Sequence, residues 1–250
     1  MDWERTPGRP HEGGLYLLLG GYKPEGNSTK KGGSMLKVIA TVARRASITH
    51  DELIGVWERV HAPHVVKIAQ PVRYRITFFD PQQTPDDPGL DGMAELWFRD
   101  KRHFDTTIGR EAPPEIMADR FNEYADFNKG AWLSVSEHVN VDGPTTRDTT
   151  KLVYFVKRRE GIERSTLDQY WLETHVPNVV AALRQTPIAR RYTVDLVDPA
   201  RDRVYDGIAQ ISLDGPHPSF SDVRNYEPDG FSELVQPLLI SRGHEIRIVE

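Results

Sequence analysis

The fold is decided by the stretch Trp57-Glu58-Arg59-Val60-His61-Ala62-Pro63-His64-Val65-Val66, which recurs as Trp171-Leu172-Glu173-Thr174-His175-Val176-Pro177-Asn178-Val179-Val180. The tryptophan, the first histidine, the proline and the paired valines keep one spacing in both copies. A repeat of this kind indicates two structural units of one type in a single chain. The length of 250 residues agrees with this, because domains commonly contain about 100 to 150 residues.

The segments around the repeated stretch also correspond in order. Leu36–Val42 lies opposite Thr150–Val156, and Asp91–Glu95 lies opposite Asp206–Gln210. The β-branched and aromatic residues in these segments predict strands. With further apolar segments after each repeat, each half is predicted to have the order βαββαβ.

A helix is predicted across the repeated stretch itself. Thr49 and Glu52 have the spacing of a capping box, which typically begins a helix. Trp57 and His61 then fall four residues apart on one face of that helix. Trp171 and His175 have the same spacing in the second half.

The sequence therefore predicts an α+β protein of two tandem ferredoxin-like units. A four-stranded antiparallel sheet covered by helices on one face leaves its other face apolar, so the two units are expected to pair sheet to sheet. The predicted boundaries are a partly mobile N-terminal extension (1–34), a first unit (35–141), a linker (142–149) and a second unit (150–250).

Composition excludes several classes of function. There are no cysteines, and 32 Lys and Arg residues face 37 Asp and Glu residues. The first observation excludes disulfides and thiolate metal sites, and the second argues against a nucleic-acid partner. No apolar run approaches the roughly 18 residues of a membrane helix, and the N-terminus lacks signal-peptide character. We therefore expect no membrane partner and a cytoplasmic protein. Nucleotide-binding glycine motifs are also absent, so no cofactor is predicted.

These residues suggest a family. The first strand, the Trp-x-x-x-His-x-Pro block and the Asp91–Glu95 strand, each with a counterpart in the second half, resemble EthD-like members of the dimeric α+β barrel superfamily. The resemblance implies two tandem ferredoxin-like units forming an intramolecular dimeric α+β barrel. It also implies a ligand pocket between sheet and helices, with a helix-borne histidine facing it. Activities in this family include cofactor-free dehydratases, decarboxylases, isomerases and oxygenases acting on cyclic metabolites, so the resemblance predicts fold better than reaction.

The two halves differ at positions that bear on function. Gln210 stands where the first half has Glu95, and Ser212 stands where it has Trp97. The halves have either divided their roles or kept one active pocket. We expect the first half to be the active one, with His61, His64, Glu95 and Trp97 lying together.

His61 and His175 are the predicted catalytic residues, because imidazole titrates near neutral pH. Helix capping or a buried hydrogen bond would explain the same histidines without catalysis. Glu95 is predicted to pair with His61 or to act as a second acid or base, although a solvated strand end would also explain it.

Aromatic residues are predicted to line a flat apolar pocket, as is usual for small-molecule sites, and core packing is the alternative. The predicted substrate-binding residues are Trp57, His64, Tyr74, Phe79, Trp97, Trp171 and Tyr192. His61 and His64 could also hold a metal, but the sequence offers no clear third ligand, and no metal site is predicted.

The predicted function is a cofactor-independent lyase (dehydratase or decarboxylase) or isomerase acting on a small cyclic or aromatic metabolite. A cofactor-free oxygenase in the same pocket and a non-catalytic ligand-binding or accessory protein are the alternatives. The predicted partner is a small-molecule substrate, and pairing of two chains into a homodimer stays open.

Overall fold

The computed structural model describes residues 35–81, 89–109, 114–146, 148–199, 204–215 and 218–250, so the predicted N-terminal extension lies outside the described residues. The strands are β1 (Leu36–Val42), β2 (Arg73–Phe79), β3 (Gly92–Phe98), β4 (Trp132–Asp142), β5 (Thr149–Val156), β6 (Ala189–Val197), β7 (Gly207–Asp214) and β8 (Leu239–Val249). The α-helices are α1 (His50–Val56), α2 (Ala62–Ala69), α3 (Lys101–Thr107), α4 (Arg164–Tyr170), α5 (Val176–Arg184) and α6 (Phe231–Leu234). A turn of π-helix joins α1 to α2 at Trp57–His61, and another joins α4 to α5 at Trp171–His175.

The strands form one closed barrel. Their order around the barrel is β1-β3-β2-β8-β5-β7-β6-β4, and the neighbouring strands are antiparallel. Strands β4 and β8 carry the connection between the halves, because β4 pairs with β1 and β6 while β8 pairs with β5 and β2.

The predicted fold of two ferredoxin-like units forming an intramolecular dimeric α+β barrel is wrong. The individual strands fall in the predicted segments, but they belong to one eight-stranded closed antiparallel barrel rather than to two sheets stacked face to face. The reason is that the outer strands of an open sheet lack a pairing partner. An open four-stranded sheet has unpaired N–H and C=O groups along its outer strands, and joining β2 to β8 and β4 to β6 satisfies them.

Alternation along each strand separates an inner from an outer layer. The outward side chains of β1 and β3, such as Val38 and Leu96, pack beneath the helices of the first half. Leu152 and Ile211 do the same in the second half. Inward side chains fill the barrel, and part of that filling is apolar: Ile39, Phe79, Met93, Val153, Phe155 and Ile208.

The rest of the barrel interior is ionic, whereas the sequence predicted an apolar face. Lys37 lies within 2.9 Å of carboxylate oxygens of Glu95, Glu137 and Asp195. Lys151 likewise bonds Glu95 at 2.9 Å. Because Lys37 and Asp195 come from different halves, these ion pairs join the two halves inside the barrel.

Candidate active site

The π-helical turns place the repeated tryptophan and histidine. The N–H of Ala62 donates to the carbonyl of Trp57, and the N–H of Val176 donates to the carbonyl of Trp171. Proline follows in each case and has no N–H to give, so the helix is locally widened. Single π-helical turns are frequent at functional sites, and here the same turn occurs in both halves.

The glycines of the Asp-Gly pairs make room for the tryptophans. A Cβ on Gly92 would lie 2.8 Å from the Trp57 ring, and one on Gly207 would lie 2.6 Å from the Trp171 ring. Each aspartate of the pair accepts a backbone hydrogen bond, Asp91 from Arg44 and Asp206 from Arg158. The Asp-Gly motif is therefore structural, and its glycine serves close packing rather than a turn.

Each helix-borne histidine is held by an aspartate. The Nδ1 of His61 lies 2.7 Å from Oδ2 of Asp119, and the Nδ1 of His175 lies 2.9 Å from Oδ2 of Asp229. Since an ionised carboxylate only accepts hydrogen bonds, Nδ1 carries the proton in both histidines. Whenever such an imidazole is neutral, Nε2 is therefore its basic nitrogen. The arrangement is typical of a positioned general base.

A phenylalanine two residues after each aspartate fixes the plane of the imidazole. His61 stacks on Phe121 with ring centroids 3.9 Å apart, and His175 stacks on Phe231 at 4.0 Å. The other carboxylate oxygen of each aspartate accepts the N–H of that phenylalanine. One Asp-x-Phe segment thus sets both the tautomer and the orientation of each histidine.

The first cavity lies between β1, β3 and the helices of the first half. It is lined by Trp57, His61, Tyr74, Phe121 and Trp132, among mainly aliphatic neighbours, and its volume is about 90 Å³. Almost all of its wall is apolar. His61 is buried at its edge.

The second cavity lies in the corresponding place of the second half and is larger, about 290 Å³. It is lined by His175 and Asp229 together with the aromatic residues Tyr154, Trp171, Tyr192, Phe220, Tyr226 and Phe231. A mainly apolar wall with a few polar groups is the usual make-up of a small-molecule site.

Substitutions between the repeats account for the difference in polarity. Tyr154 lines the second cavity at the strand position where Ala40 lines the first. Tyr226 stands three residues before Asp229, just as Ile116 stands three residues before Asp119. The second cavity therefore gains two hydroxyl groups.

Burial and hydrogen bonding set the charge states in the second cavity. Burial lowers the pKa of His175 below its ordinary value, although Asp229 acts in the opposite direction. Burial opposes ionisation of Asp229, but hydrogen bonds from Asn178, the Phe231 N–H and His175 lower its pKa overall. At neutral pH the pair is a neutral imidazole beside a carboxylate.

The structure brings only some of the predicted residues together. Trp57, His61 and Tyr74 line the first cavity, and Trp171, His175 and Tyr192 line the second. His64 does not line the first cavity. Its Nε2 lies 2.5 Å from the carbonyl oxygen of Glu115.

Three predicted residues lie inside the barrel instead. Glu95 is 2% exposed and pairs with Lys37 and Lys151, so it is neither solvated nor next to His61. The indole of Trp97 donates to Glu137 at 3.0 Å, and Phe79 belongs to the apolar filling of the barrel. The strand separates these side chains from the cavities, because neighbours along a strand face opposite sides.

Neither Asp119 nor Asp229 was predicted from the sequence. A signal was available: Asp119-Arg120-Phe121 and Asp229-Gly230-Phe231 occupy corresponding places in the two halves. The middle residue has a positive φ in both, 65° at Arg120 and 87° at Gly230. Only a repeat search that tolerated a change of separation between the halves would have found this short motif.

The sequence of the first half matches a known family. Residues 45–128 match the EthD domain. The predicted resemblance to EthD-like proteins is thereby confirmed. No curated protein matches this sequence.

Solved structures resemble the chain across both of its halves. An anthrone oxidase-like protein aligns with a TM-score of 0.55 and 12% identity over 86% of this chain and 94% of its own. A Fusobacterium nucleatum protein assigned as a monooxygenase aligns with a TM-score of 0.54 and 8% identity over 85% of this chain and 93% of its own. A mutant chlorite dismutase from Candidatus Nitrospira defluvii aligns with a TM-score of 0.50 and 9% identity over 84% of this chain and 90% of its own. At these identities the likeness shows the fold alone.

Within the described ranges, no three His, Asp or Glu side chains cluster in a way that could hold a metal ion. In the same part of the chain, no helix has the length and apolar character needed to cross a membrane.

Proposed function

We propose that this protein is a cofactor-independent lyase or isomerase that moves a proton on a small cyclic or aromatic compound bound in the second cavity. The observation that carries the proposal is the His175–Asp229 pair at 2.9 Å in the wall of the larger, aromatic cavity. The sequence favoured the first half, but the cavity there has less than a third of the volume and lacks the hydroxyl groups that Tyr154 and Tyr226 bring to the second cavity.

His175 has the properties of a general base. Its Nδ1 proton is held by Asp229, and its Nε2 has no hydrogen-bond partner among the described residues. The lowered pKa keeps the imidazole neutral at neutral pH. When Nε2 accepts a proton, the Asp229 carboxylate stabilises the resulting cation.

The proposed step removes a proton from carbon next to a ring carbonyl. The C–H electron pair moves to form an enolate, and the proton resides on Nε2 of His175. Return of the proton to another carbon gives isomerisation. Alternatively, a hydroxyl group on the neighbouring carbon accepts the proton and leaves as water, which is a dehydration.

A cofactor-free oxygenase is the second candidate. The same deprotonated ring would be electron-rich enough to reduce dioxygen directly. What favours this candidate is that proteins named anthrone oxidase-like and monooxygenase share the fold. The two candidates use the same base and differ in whether dioxygen is consumed.

Deuterium exchange tests the proposal. The flat cyclic ketone 2-tetralone would be incubated with the protein in D₂O without oxygen, and deuterium next to the carbonyl would be followed by mass spectrometry. We expect exchange above the uncatalysed rate, and a loss of about 100-fold or more in His175→Ala.

His61→Ala is the matched variant in the first cavity, and we expect it to keep most of the exchange. The opposite pattern would place the reaction in the first cavity. Equal rates in both variants and the unmodified protein would favour the non-catalytic alternative. Dioxygen uptake with anthrone that is lost in His175→Ala would favour the oxygenase.

A further inference from the structure

Tyr154 is the residue that most distinguishes the second cavity from the first. It projects from β5 into the cavity and is 8% exposed. Its ring meets the edge of Phe220, with centroids 6.1 Å apart. Ala40, at the same position of the first half, offers no polar group.

The hydroxyl of Tyr154 has no hydrogen-bond partner among the described residues. This hydroxyl is not among the buried side-chain atoms that lack a partner, so it is accessible from the cavity and can meet water there. A ligand that displaces this water must replace its hydrogen bond. A ligand oxygen in the cavity would supply the missing partner. Neighbouring Tyr192 and Tyr226 line the same cavity, so the wall around such an oxygen would be phenolic.

We propose that Tyr154 donates a hydrogen bond to a ring-borne oxygen of the substrate, which restricts the substrate class to cyclic compounds carrying a carbonyl or phenolic oxygen. The inference rests on the proposed function, because it places the substrate in the same cavity as His175. It adds the group that selects the substrate and leaves the first cavity without such selection.

This role fits the proposed chemistry. As His175 removes the carbon-bound proton, negative charge develops on the carbonyl oxygen, and a hydrogen-bond donor aimed at that oxygen stabilises it. The Tyr154 hydroxyl keeps its own proton throughout, because burial raises its pKa. In this step the C–H bond breaks, an N–H bond forms at Nε2 of His175, and the C–H electron pair becomes the C=C bond of the enolate.

A comparison of two ligands that differ by one oxygen tests the inference. Binding of 2-tetralone and of tetralin, the hydrocarbon without the carbonyl oxygen, would be measured by tryptophan fluorescence, since Trp171 lines the cavity. We expect the unmodified protein to prefer the ketone. In Tyr154→Phe, ketone affinity should fall roughly three- to tenfold while hydrocarbon affinity stays unchanged.

Tyr205→Phe is the matched control. Tyr205 is also a buried tyrosine, but it packs inside the barrel against Phe155 and lines neither cavity. It should keep the preference for the ketone. Thermal unfolding of both variants checks that they are folded.

The outcomes separate this inference from the proposed function. If Tyr154→Phe keeps the full ketone preference while His175→Ala still loses deuterium exchange, the role of Tyr154 is refuted and the proposed function stands. If neither ligand binds in the second cavity of the unmodified protein, both are refuted.

Discussion

The imidazole of His175 is subject to two opposing influences. Burial favours its neutral form, while the hydrogen bond and charge of Asp229 favour the protonated form. Replacing Asp229 by asparagine removes the second influence and keeps the first. We therefore expect Asp229→Asn to lower the pKa of His175 further, as measured by NMR titration of its ring protons. A base acts in its deprotonated form, so the acidic limb of any activity profile should move to lower pH.

Asp119→Asn provides the control, because Asp119 bonds the other histidine. It should leave the titration of His175 unchanged. An upward movement of the His175 pKa in Asp229→Asn would contradict the electrostatic role given to the carboxylate. A movement in Asp119→Asn would mean that the two sites are coupled.

Single residues were partly predictable from the sequence. The repeated spacing of Trp57 and His61 predicted one helical face, and both line the first cavity. Asp119 was not predicted, because it reaches His61 from a loop far along the chain and its only sequence signal is the short repeated Asp-x-Phe segment. Glu95 was misplaced for a different reason: a strand position does not reveal which side faces the cavity until the barrel is known.

Among the elements, each π-helical turn is held against a strand because the ring of its tryptophan packs on a glycine of that strand. A Cβ at Gly207 would lie 2.6 Å from the Trp171 ring and 2.9 Å from the carbonyl oxygen of Asp195. Neither contact can relax without moving the strand or the turn that carries His175. We expect Gly207→Ala to lower the free energy of unfolding by about 1–3 kcal/mol, measured by urea denaturation.

Gly55→Ala is the matched control, since this glycine lies within α1. Its Cβ would meet only the guanidinium end of Arg59, a flexible side chain that can move aside. Alanine is also favoured over glycine inside a helix, so the variant should be neutral or more stable by up to about 1 kcal/mol. Unfolding of Gly207→Ala at the same urea concentration as the unmodified protein would show that the packing is looser than described.

At the scale of the whole molecule, the positions of the strands could be predicted but their partners could not. Alternating apolar residues identify a strand such as β4, yet nothing in its own pattern says that it pairs with β6 of the other half. Closure of the barrel also changes the environment of an inward-facing side chain from solvent to a buried interior. Lys37 and Lys151 look like surface residues in sequence, but the closed barrel buries both beside carboxylates.

The ionic cluster in the barrel gives the last prediction. Burial opposes the charge on Lys37, but Asp195, Glu95 and Glu137 together raise its pKa. Lys37→Met leaves these carboxylates without their shared cation, and removing one partner of a buried ion pair typically costs about 3–5 kcal/mol. We expect a loss of that size near pH 7.5, measured by urea unfolding.

The pH dependence of that loss checks its electrostatic origin. Burial raises the pKa of Asp195 to about 6, so Asp195 takes up a proton in the folded protein before it does so in the unfolded chain. Fewer negative charges then remain unbalanced, and the loss in Lys37→Met should be smaller at pH 5 than at pH 7.5. Lys101→Ala, which removes an exposed pair with Asp105, should cost less than about 1 kcal/mol at either pH. A loss in Lys37→Met that is equally small at both pH values would mean that water screens the cluster, and that strand pairing and the apolar filling of the barrel join the halves without it.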